Sequence, residues 1–585
     1  MSSGQNHAPA VVRAGERTIR RGMTLILVLA TIAGVAGGVG AIAFRLMIGA
    51  IQALFFSDLL PRVSFYAWGM NLGVMLLPAL GAAIIAPVVY HLAPETRGTG
   101  IPETIDTYTR RQGRMRPRVA ILKVVVSAIT IGSGGSAGRE GPIAQIGGAS
   151  GSAIGQALKL TDERVKLLVV SGVAAGIAGT FNAPLGGALF AIEVLQRGFN
   201  WRGTPSIVLA SVVGTAVAST AFGLQPVLPA PPFYLQSASQ LGSYAVLGLA
   251  FGLLSYCWVR VFYLFQSAFE RLKVTGTLKL VIGGLLVGGI GMLLPNYGVL
   301  GVGYQGIGLV LAGGVTLGLG LALGMAKVLA TSLTIGSGAS GGVFAPTLYV
   351  GSMFGAAFGS VFIWLFPGLS TPPLGYSISG MGALIAGATR APLTSIIIVP
   401  EITGDWNVLP ALMLSSIVSY YVASYLLKHS SIYTLKLERR GIDIKALSAP
   451  DYLDSVTVTE VMESPRAVDE DATVSTFLRT KQDEPRLQSM PIVRGRALAG
   501  AAKFADAERV PVEDREKTPV KQIMDPHPPT ISARRSVRDA VGLLQEKGLS
   551  EVTVVEDSPG QAYLGVFTPD DLVRAHKLGL ERNVD

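Results

Sequence analysis

The segment ILKVVVSAITIGSGGSAGREGP (121–142) aligns without a gap with MAKVLATSLTIGSGASGGVFAP (325–346). Lys123 falls on Lys327, and the shift of 204 residues is kept from end to end. Each copy is an apolar run followed by a glycine-rich break and a proline, a pattern that ends one helix and starts the next. The two copies predict two halves of the chain that are built on one plan of interrupted helices.

A second pair of segments supports the duplication. SGVAAGIAGTFNAPLGGALFAIEV (171–194) aligns with SGMGALIAGATRAPLTSIIIVPEI (379–402), and Glu193 falls on Glu401. Duplicated halves with Gly/Pro-broken apolar helices are typical of transporter folds, whose ion site lies where the halves meet. The offsets alone leave open whether the halves are inverted. We place the halves at about residues 23–222 and 240–437.

The composition indicates an integral membrane protein. Of 585 residues, half are hydrophobic and only 15% are charged, which is well below the charged share of a soluble domain. The apolar segments run from about Met23 to Leu437. They predict a multi-pass domain of roughly fifteen to eighteen helices, many of them shorter than a full membrane span.

The flanks of this domain are polar. A basic stretch with Arg13, Arg17, Arg20 and Arg21 precedes it, and such stretches stay in the cytoplasm. We therefore expect residues 1–22 to be cytoplasmic, with a linker at 438–454 and a soluble tail at 455–585. The absence of a long presequence favours a bacterial inner membrane with both termini cytoplasmic.

Several functional classes are not supported by the sequence. One cysteine and five scattered histidines, without an HExxH motif, predict no metal site and no intramembrane metalloprotease; we expect no enzyme. The GxGxxG-like segments at 132–137 and 336–341 lie in apolar repeats and not after a soluble strand, which argues against a dinucleotide site. The net charge of +10 lies in flanks, and we predict no nucleic-acid partner.

Three glycine-rich motifs predict an anion site. GTGIPE (98–103), SAGREGP (136–142) and GGVFAP (341–346) each place glycines just before a helix start. A helix start carries unpaired N–H groups and about half a positive charge, so it attracts an anion without binding it as firmly as a lysine would. We predict a path for a small anion, with chloride favoured.

Glu140 is the candidate gate in this path. An ionised carboxylate is costly in an apolar setting, so its presence there suggests a function. It can compete with chloride for the same N–H groups and leave them on protonation. A structural salt bridge to Arg139 is the alternative. Thr99 and Tyr433 offer hydroxyl groups, although a tyrosine near the end of a membrane domain is often only an interfacial anchor.

These motifs, in this order, resemble the CLC family of chloride channels and chloride/proton exchangers. The resemblance covers about Met23 to Leu437. It implies an inverted repeat of about eighteen helices, a homodimer with one pore per subunit, and Glu140 in the place of the gating glutamate. It also implies a set of chloride-binding residues, namely Thr99, Gly100, Ile101, Gly141, Val343, Phe344 and Tyr433.

One departure from the family pattern concerns proton coupling. Exchangers of this family commonly carry a second acidic residue after the first in the segment AIEVLQR (191–197), where this chain has Val194. Valine cannot relay a proton. We therefore expect passive chloride conduction with a pH-sensitive gate, and keep chloride/proton exchange as the alternative because some exchangers also lack this glutamate.

The tail is also repeated, since VTEVMESPRAVDEDATVSTFLR (458–479) resembles VKQIMDPHPPTISARRSVRDAVGLL (520–544). It resembles a tandem pair of CBS domains, and GVFTPDDL (565–572) is similar to the nucleotide-contacting end of such a module. This resemblance implies a site for ATP, ADP or AMP at Thr568 and Asp571. A purely structural role that stiffens a dimer is the alternative, and we expect no required cofactor.

Overall fold

The computed structural model describes residues 10–200, 203–428, 430–442, 453, 456–465, 467–557 and 562–584. The chain divides into two compact units, Met1–Leu447 and Ser448–Asp585. We call them the membrane unit and the tail, and each is described by itself. Most of the predicted linker 438–454 lies outside the described residues.

The described part of the membrane unit contains eighteen α-helices. They are α1 Ala10–Gln52, α2 Leu60–Val63, α3 Gly73–Pro87, α4 Ile101–Arg110, α5 Arg118–Gly132, α6 Glu140–Ala157, α7 Asp162–Phe181, α8 Pro184–Phe190, α9 Thr204–Phe222, α10 Leu241–Arg271, α11 Gly276–Leu293, α12 Tyr304–Leu311, α13 Leu317–Gly336, α14 Phe344–Leu365, α15 Pro373–Thr389, α16 Pro392–Thr403, α17 Leu409–Leu426 and α18 Leu435–Arg439. A short hairpin pairs β1 Tyr66–Ala67 with β2 Met70–Asn71.

Within the described residues, nine helices are long and apolar enough to cross a membrane. Others are short apolar segments, as predicted from the breaks. The breaks follow local rules: α7 and α15 end at Asn182 and Arg390, both with left-handed backbone. The next helices, α8 and α16, begin with Pro184 and Pro392, because proline fits the first turn of a helix.

The two halves meet in an antiparallel contact of equivalent residues. Gly138 N–H donates to Gly342 O at 2.8 Å, and Gly342 N–H donates back to Gly138 O at 2.6 Å. These glycines are 204 residues apart, which is the shift of the repeat. Two equivalent side-chain pairs flank them, Ser127 with Ser340 (2.8 Å) and Ser136 with Thr331 (3.0 Å). A two-fold rotation that reverses the chain direction therefore relates the halves.

Glycine lets equivalent helix pairs pack backbone to backbone. A Cβ on Gly147 in α6 would overlap the carbonyl of Gly172 in α7, and a Cβ on Gly351 in α14 would overlap that of Gly380 in α15. Small residues at such contacts are the usual means of packing helices in a membrane. The high glycine content therefore serves tight packing as well as helix breaks.

The tail contains two similar β/α modules. Each has a three-stranded sheet in which the first two strands are parallel and the last two antiparallel. The strands are β3 Val468–Asp469, β4 Ser489–Arg494 and β5 Ala497–Lys503, then β6 Thr530–Ser532, β7 Val552–Val555 and β8 Tyr563–Phe567. The helices are α19 Val474–Asp483, α20 Phe504–Glu508, α21 Val537–Lys547 and α22 Asp571–Val584.

The modules exchange their leading segments. Val458, which precedes the first module, is buried in the cluster that contains Phe567 of the second. Val520, which precedes the second module, is buried with Phe477 of the first. The repeat seen in the sequence of the tail is thus a repeat in structure, and the two modules share one fold.

Candidate functional site

Glu140 lies at the point where α6 and α14 begin. It is the first residue of α6, it is fully buried, and its Oε1 accepts a hydrogen bond from the backbone N–H of Phe344, the first residue of α14. Glu140 and Phe344 are equivalent residues of the two halves, 204 positions apart. The carboxylate therefore occupies the place at a helix start that favours an anion.

Two glycines make room for this carboxylate. A Cβ on Gly138 or on Gly342 would overlap the carboxyl atoms of Glu140. These are the same two glycines that pair across the two-fold axis. Any larger residue at either position would push Glu140 away from the Phe344 amide.

Tyr433 lies near Phe344 and Glu140. It is fully buried, and its Oη has no hydrogen-bond partner among the described residues. Its ring is 6.4 Å from that of Phe190, which is 6.1 Å from the ring of Phe344. Tyr433 is also close enough to Glu140 for an electrostatic interaction. A buried hydroxyl without a partner fits the predicted contact with an anion, because such a group is otherwise costly.

The segment before α4 touches the start of α6. A Cβ on Gly141 would overlap the carbonyl oxygen of Thr99, so these two backbones are in direct contact. Gly100 caps α4 with φ of +86°, and Ile101 is its first residue. Val343 caps α14. All the residues predicted to bind chloride are thus buried at or near the starts of α4, α6 and α14, together with Tyr433.

A cavity of about 240 Å³ leads to this region. It is lined by Thr99 and Ile432, the residue before Tyr433, and its rim is charged. Lys436 Nζ lies 2.5 Å from a carboxylate oxygen of Glu103, which is also 3.7 Å from the guanidinium of Arg440. The cavity provides a polar approach to the site from one side.

Two buried lysines support the loops around the site. Lys123 Nζ donates to the carbonyls of Thr96 (2.8 Å) and Gly98 (3.0 Å), just before α4. Lys327 donates to three carbonyls just before α12, the nearest being Gly301 O at 2.9 Å. No role was predicted for these lysines. The signal was available, since a charged residue repeated inside an apolar segment is costly and needs partners.

Arg139 packs against Tyr304 and makes no ion pair with its neighbour Glu140, although its charge acts on Glu140 from a distance. Its guanidinium lies over the ring of Tyr304, 4.9 Å from the ring centroid. The ion pairs found in the described part of the chain include none between Arg139 and Glu140. The structure therefore does not support the alternative in which Glu140 serves only as a salt-bridge partner.

Glu193 joins the two halves. Its carboxylate accepts hydrogen bonds from the first amides of α16, those of Leu393 (3.1 Å) and Thr394 (2.7 Å). Its equivalent, Glu401, accepts the corresponding bonds from α8 at 3.0 and 2.7 Å. Each half thus caps a helix of the other half, and a carboxylate is the suitable cap for a helix start.

The family model described as voltage gated chloride channel matches residues 81–424, which is more than half of the chain. The chain belongs to the CLC family. A second model, the CBS domain, matches residues 520–577 of the tail. The CLC fold with a CBS region, expected from the motifs, is confirmed.

Individual CLC relatives differ in the activity that they are named for. The "putative chloride channel protein ClcB-like" of Ralstonia nicotianae is 31% identical over 72% of this chain and 98% of its own. The H(+)/Cl(−) exchange transporter ClcA of Vibrio cholerae is 33% identical over 63% of this chain and 80% of its own. A crystal structure of a slow cyanobacterial Cl−/H+ antiporter matches with a TM-score of 0.64 at 29% identity, covering 71% of this chain and 97% of that one.

The prediction of a passive channel from Val194 is wrong, because relatives and a structural neighbour of this chain are named exchangers. Val194 is buried beside Glu193 and offers no group that carries a proton. One apolar side chain removes one such group, but buried water and other polar groups can also carry protons. A single position is therefore not enough to exclude coupling.

In the tail, Asp571 begins α22 and is fully buried. Its Oδ2 accepts hydrogen bonds from Thr568, from N–H at 2.8 Å and from Oγ1 at 3.2 Å. Its Oδ1 lies 3.5 Å from the guanidinium of Arg574. Burial raises the pKa of Asp571 above its ordinary value. The two residues predicted to contact a nucleotide are thus in contact with each other.

Proposed function

We propose that this CLC protein exchanges chloride for protons across the membrane. The observation that carries the proposal is the buried Glu140 carboxylate on the amide of Phe344, at the start of two equivalent helices. The names of its relatives support the same function. Glu140 is the gate, and the chloride-binding residues are those predicted from the motifs.

Competition between two anions couples the ions in this proposal. Chloride and the Glu140 carboxylate seek the same N–H groups, so an arriving chloride ion favours displacement of the side chain. A displaced carboxylate takes up a proton, and the neutral acid no longer competes for the amides. Return of Glu140 to Phe344 as an anion requires release of that proton. Each cycle therefore links chloride movement to a protonation step.

Because Val194 cannot pass a proton, we propose that water supplies the route to Glu140. The cavity at Thr99 is large enough for several water molecules and has a polar rim with Glu103 and Lys436. In this chain, water in the cavity would carry the proton that an acidic side chain carries in other exchangers of the family.

Reconstitution into liposomes tests the exchange directly, with chloride and proton fluxes recorded together. We expect an outward chloride gradient to drive protons inward against their own gradient. Chloride flux without any proton movement would overturn the proposal. An empty-liposome control accounts for proton leak.

For the tail, we propose that Thr568 and Asp571 contact an adenine nucleotide. The CBS match and the location of both residues at the start of α22 support this. Calorimetry of the full chain with ATP, ADP and AMP is the test, and Asp571→Ala should lose the heat of binding. If the unaltered chain gives no heat with any of the three nucleotides, the proposed nucleotide site is wrong and the structural role in a dimer is favoured.

We also propose the following organisation: a membrane domain at 23–437, a linker at 438–454 and tandem CBS domains at 455–585, in a homodimer with one path per subunit. The basic start of α1 supports a bacterial inner membrane with both termini in the cytoplasm. Cross-linking in native membranes tests the dimer. Protease access to a carboxy-terminal tag in inside-out vesicles tests the orientation.

A further inference from the structure

The start of α12 is the two-fold equivalent of the start of α4. GTGI (98–101) leads into α4 and GVGY (301–304) leads into α12. The glycines agree in conformation as well as position, with φ of +80° and +86° in the first segment and +63° and +101° in the second. Gly98 bonds to the backbone of Ala339 and Gly341, whereas Gly301 bonds to that of Gly134 and Ala137, so α4 and α12 begin on opposite sides of the Gly138–Gly342 contact. The first segment carries Thr99; the second carries Tyr304.

Polar atoms without partners cluster at the start of α12. Arg139 is 6% exposed, and its Nε and Nη2 have no hydrogen-bond partner within the described residues. The Oη of Tyr304 lies close enough to Arg139 to accept a hydrogen bond from its guanidinium, but its own O–H has no acceptor among the described residues. The guanidinium also covers the Tyr304 ring. Buried donors of this kind are rare unless a ligand or water satisfies them. Here a cation and a phenol present their donors next to one another.

The charges around this cluster are mostly positive. Arg45 interacts electrostatically with both Arg139 and Tyr304 and stacks 4.0 Å above the ring of Phe222. Lys327 Nζ lies close to the backbone that leads into Tyr304, since a Cβ on Gly303 would be 2.9 Å from it. Glu140 is the carboxylate within electrostatic range of Tyr304. A small anion is therefore the ligand that matches both the donors and the field.

The cluster also lies on the side of the membrane away from the start of α1. Arg45 is 22 residues beyond Met23 on the same helix, a rise of about 33 Å, which is close to the thickness of the hydrocarbon core. The cavity at Thr99 adjoins the start of α4 and lies on the other side of the Gly138–Gly342 contact.

We propose that Arg139 and Tyr304, with Arg45 nearby, form an outer chloride site just beyond Glu140. This inference rests on the proposed chloride transport. The site holds a chloride ion that is about to displace Glu140 or has just passed it. The Tyr304 hydroxyl and the Arg139 guanidinium donate hydrogen bonds to the ion, and the Arg45 charge raises its local concentration.

Anomalous scattering from crystals of the full chain grown in bromide tests the site. We expect one bromide peak beside Tyr433 and another within hydrogen-bond distance of Tyr304 Oη and Arg139. Tyr304→Phe should remove the outer peak and keep the one at Tyr433. Tyr421→Phe, a change of an exposed tyrosine, is the matched control and should keep both peaks.

The inner peak separates the two proposals. If bromide is present beside Tyr433 but absent from Tyr304 in the unaltered chain, the outer site is wrong and the proposed function stands. If both peaks are absent, the proposed chloride path itself fails. The outer site is also wrong if its bromide peak persists in Tyr304→Phe. It is wrong as well if the Glu140 carboxylate, and not bromide, lies beside Tyr304 and Arg139 in the unaltered chain.

Flux measurements give a second readout. Tyr304→Phe should raise the chloride concentration for half-maximal flux from the outer side by roughly tenfold, the effect of losing one hydrogen bond to an ion. The same concentration on the inner side should not change. Equal effects on both sides would contradict an outer location.

Discussion

The two halves of the membrane unit agree in what holds them together and differ in what lies at the ion path. Gly138 and Gly342 pair symmetrically, and Glu193 and Glu401 cap each other's helices. At the starts of α6 and α14, however, Arg139–Glu140 stands opposite Val343–Phe344. The symmetric residues hold the backbone amides at the starts of α6 and α14 in place. We propose that the asymmetric ones make a gate, because only one half supplies a carboxylate.

Removal of the Glu140 charge, which has no counterpart in the second half, should have the largest effect on transport. Glu140→Gln leaves a neutral side chain that cannot take up or release a proton. We expect proton flux to fall by roughly 10²-fold or more, while chloride flux continues and no longer depends on pH. Liposome fluxes between pH 5 and 8 provide the measurement. Glu401→Gln, which alters a half-buried carboxylate that caps a helix, should retain coupling; loss of coupling there would contradict the assignment of Glu140.

A methyl group added at Gly342, in the second half, should displace the Glu140 side chain of the first half. In Gly342→Ala the new Cβ overlaps the Glu140 carboxylate and pushes it off the Phe344 amide. Loss of this charge-assisted bond should shift the gate toward the open form by roughly tenfold, with faster and less coupled chloride flux. Gly289→Ala, at a position with open space, is the control. Unchanged coupling in Gly342→Ala would show that the carboxylate does not need this amide.

Two tyrosines near Ile432 distinguish ion binding from folding. Tyr433 Oη has no partner among the described residues, whereas Tyr263 Oη donates to Ile432 O at 2.9 Å and accepts from Lys436 N at 3.1 Å. Tyr433→Phe should weaken bromide binding roughly tenfold without lowering the unfolding midpoint. Tyr263→Phe should lower stability by about 1 kcal/mol with less effect on bromide. Calorimetry in detergent measures bromide affinity, and thermal unfolding measures stability. If Tyr263→Phe weakens bromide binding and Tyr433→Phe does not, the ion does not bind at Tyr433.

The reciprocal caps should contribute equally to stability. Glu193→Ala and Glu401→Ala each leave two amides of a helix start without a partner, so each should cost about 1–3 kcal/mol. Glu193→Ala also removes the acceptor of the Thr394 hydroxyl, which can bond to water instead. The unfolding midpoints of the two variants should fall by similar amounts. A change in only one variant would show that the halves are not equivalent at this contact.

The smallest expected effect is on the pH dependence of stability in the tail, where an aspartate differs in burial between the two modules. Asp506 in the first module follows Gly500 by six residues, as Asp571 follows Gly565 in the second. Asp571 is buried, whereas Asp506 pairs with Arg509 at the surface. Because burial raises the pKa of Asp571, its protonated form favours the folded state. That contribution is complete below the unfolded pKa of about 4 and is lost as the pH rises through the folded pKa. Hydrogen exchange of α22 should therefore be slower at low pH after correction for intrinsic rates, and Asp571→Asn, unlike Asp506→Asn, should remove this difference.

Much of the fold follows from local rules in the sequence. The repeat, the glycine and proline breaks and the apolar composition predict the two halves and the short helices that meet at one point. Glu140 could be selected because a carboxylate in an apolar segment has a local chemical meaning, whereas the chloride-binding roles of Phe344 and Tyr433 were predicted only from the resemblance to the CLC family. Their convergence required only that duplicated halves meet, as such halves commonly do.

Other parts of the site depend on contacts that the sequence does not encode locally. The caps made by Glu193 and Glu401, and the turn of Arg139 toward Tyr304, join residues well over a hundred positions apart. The error over Val194 has a different cause. Coupling is a property of a cycle of states, and one apolar residue removes a single route for the proton without closing the others.

The reciprocal contacts of the halves bear on how such a protein could arise. In one half alone, Glu193 would have no helix to cap and the start of α8 would lack its carboxylate, yet two identical copies could satisfy each other in the same way. A gene for a single half could thus have encoded a self-pairing ancestor with its copies in opposite orientations. Fusion of two such genes would free position 140 to diverge from position 344, which an identical pair cannot do.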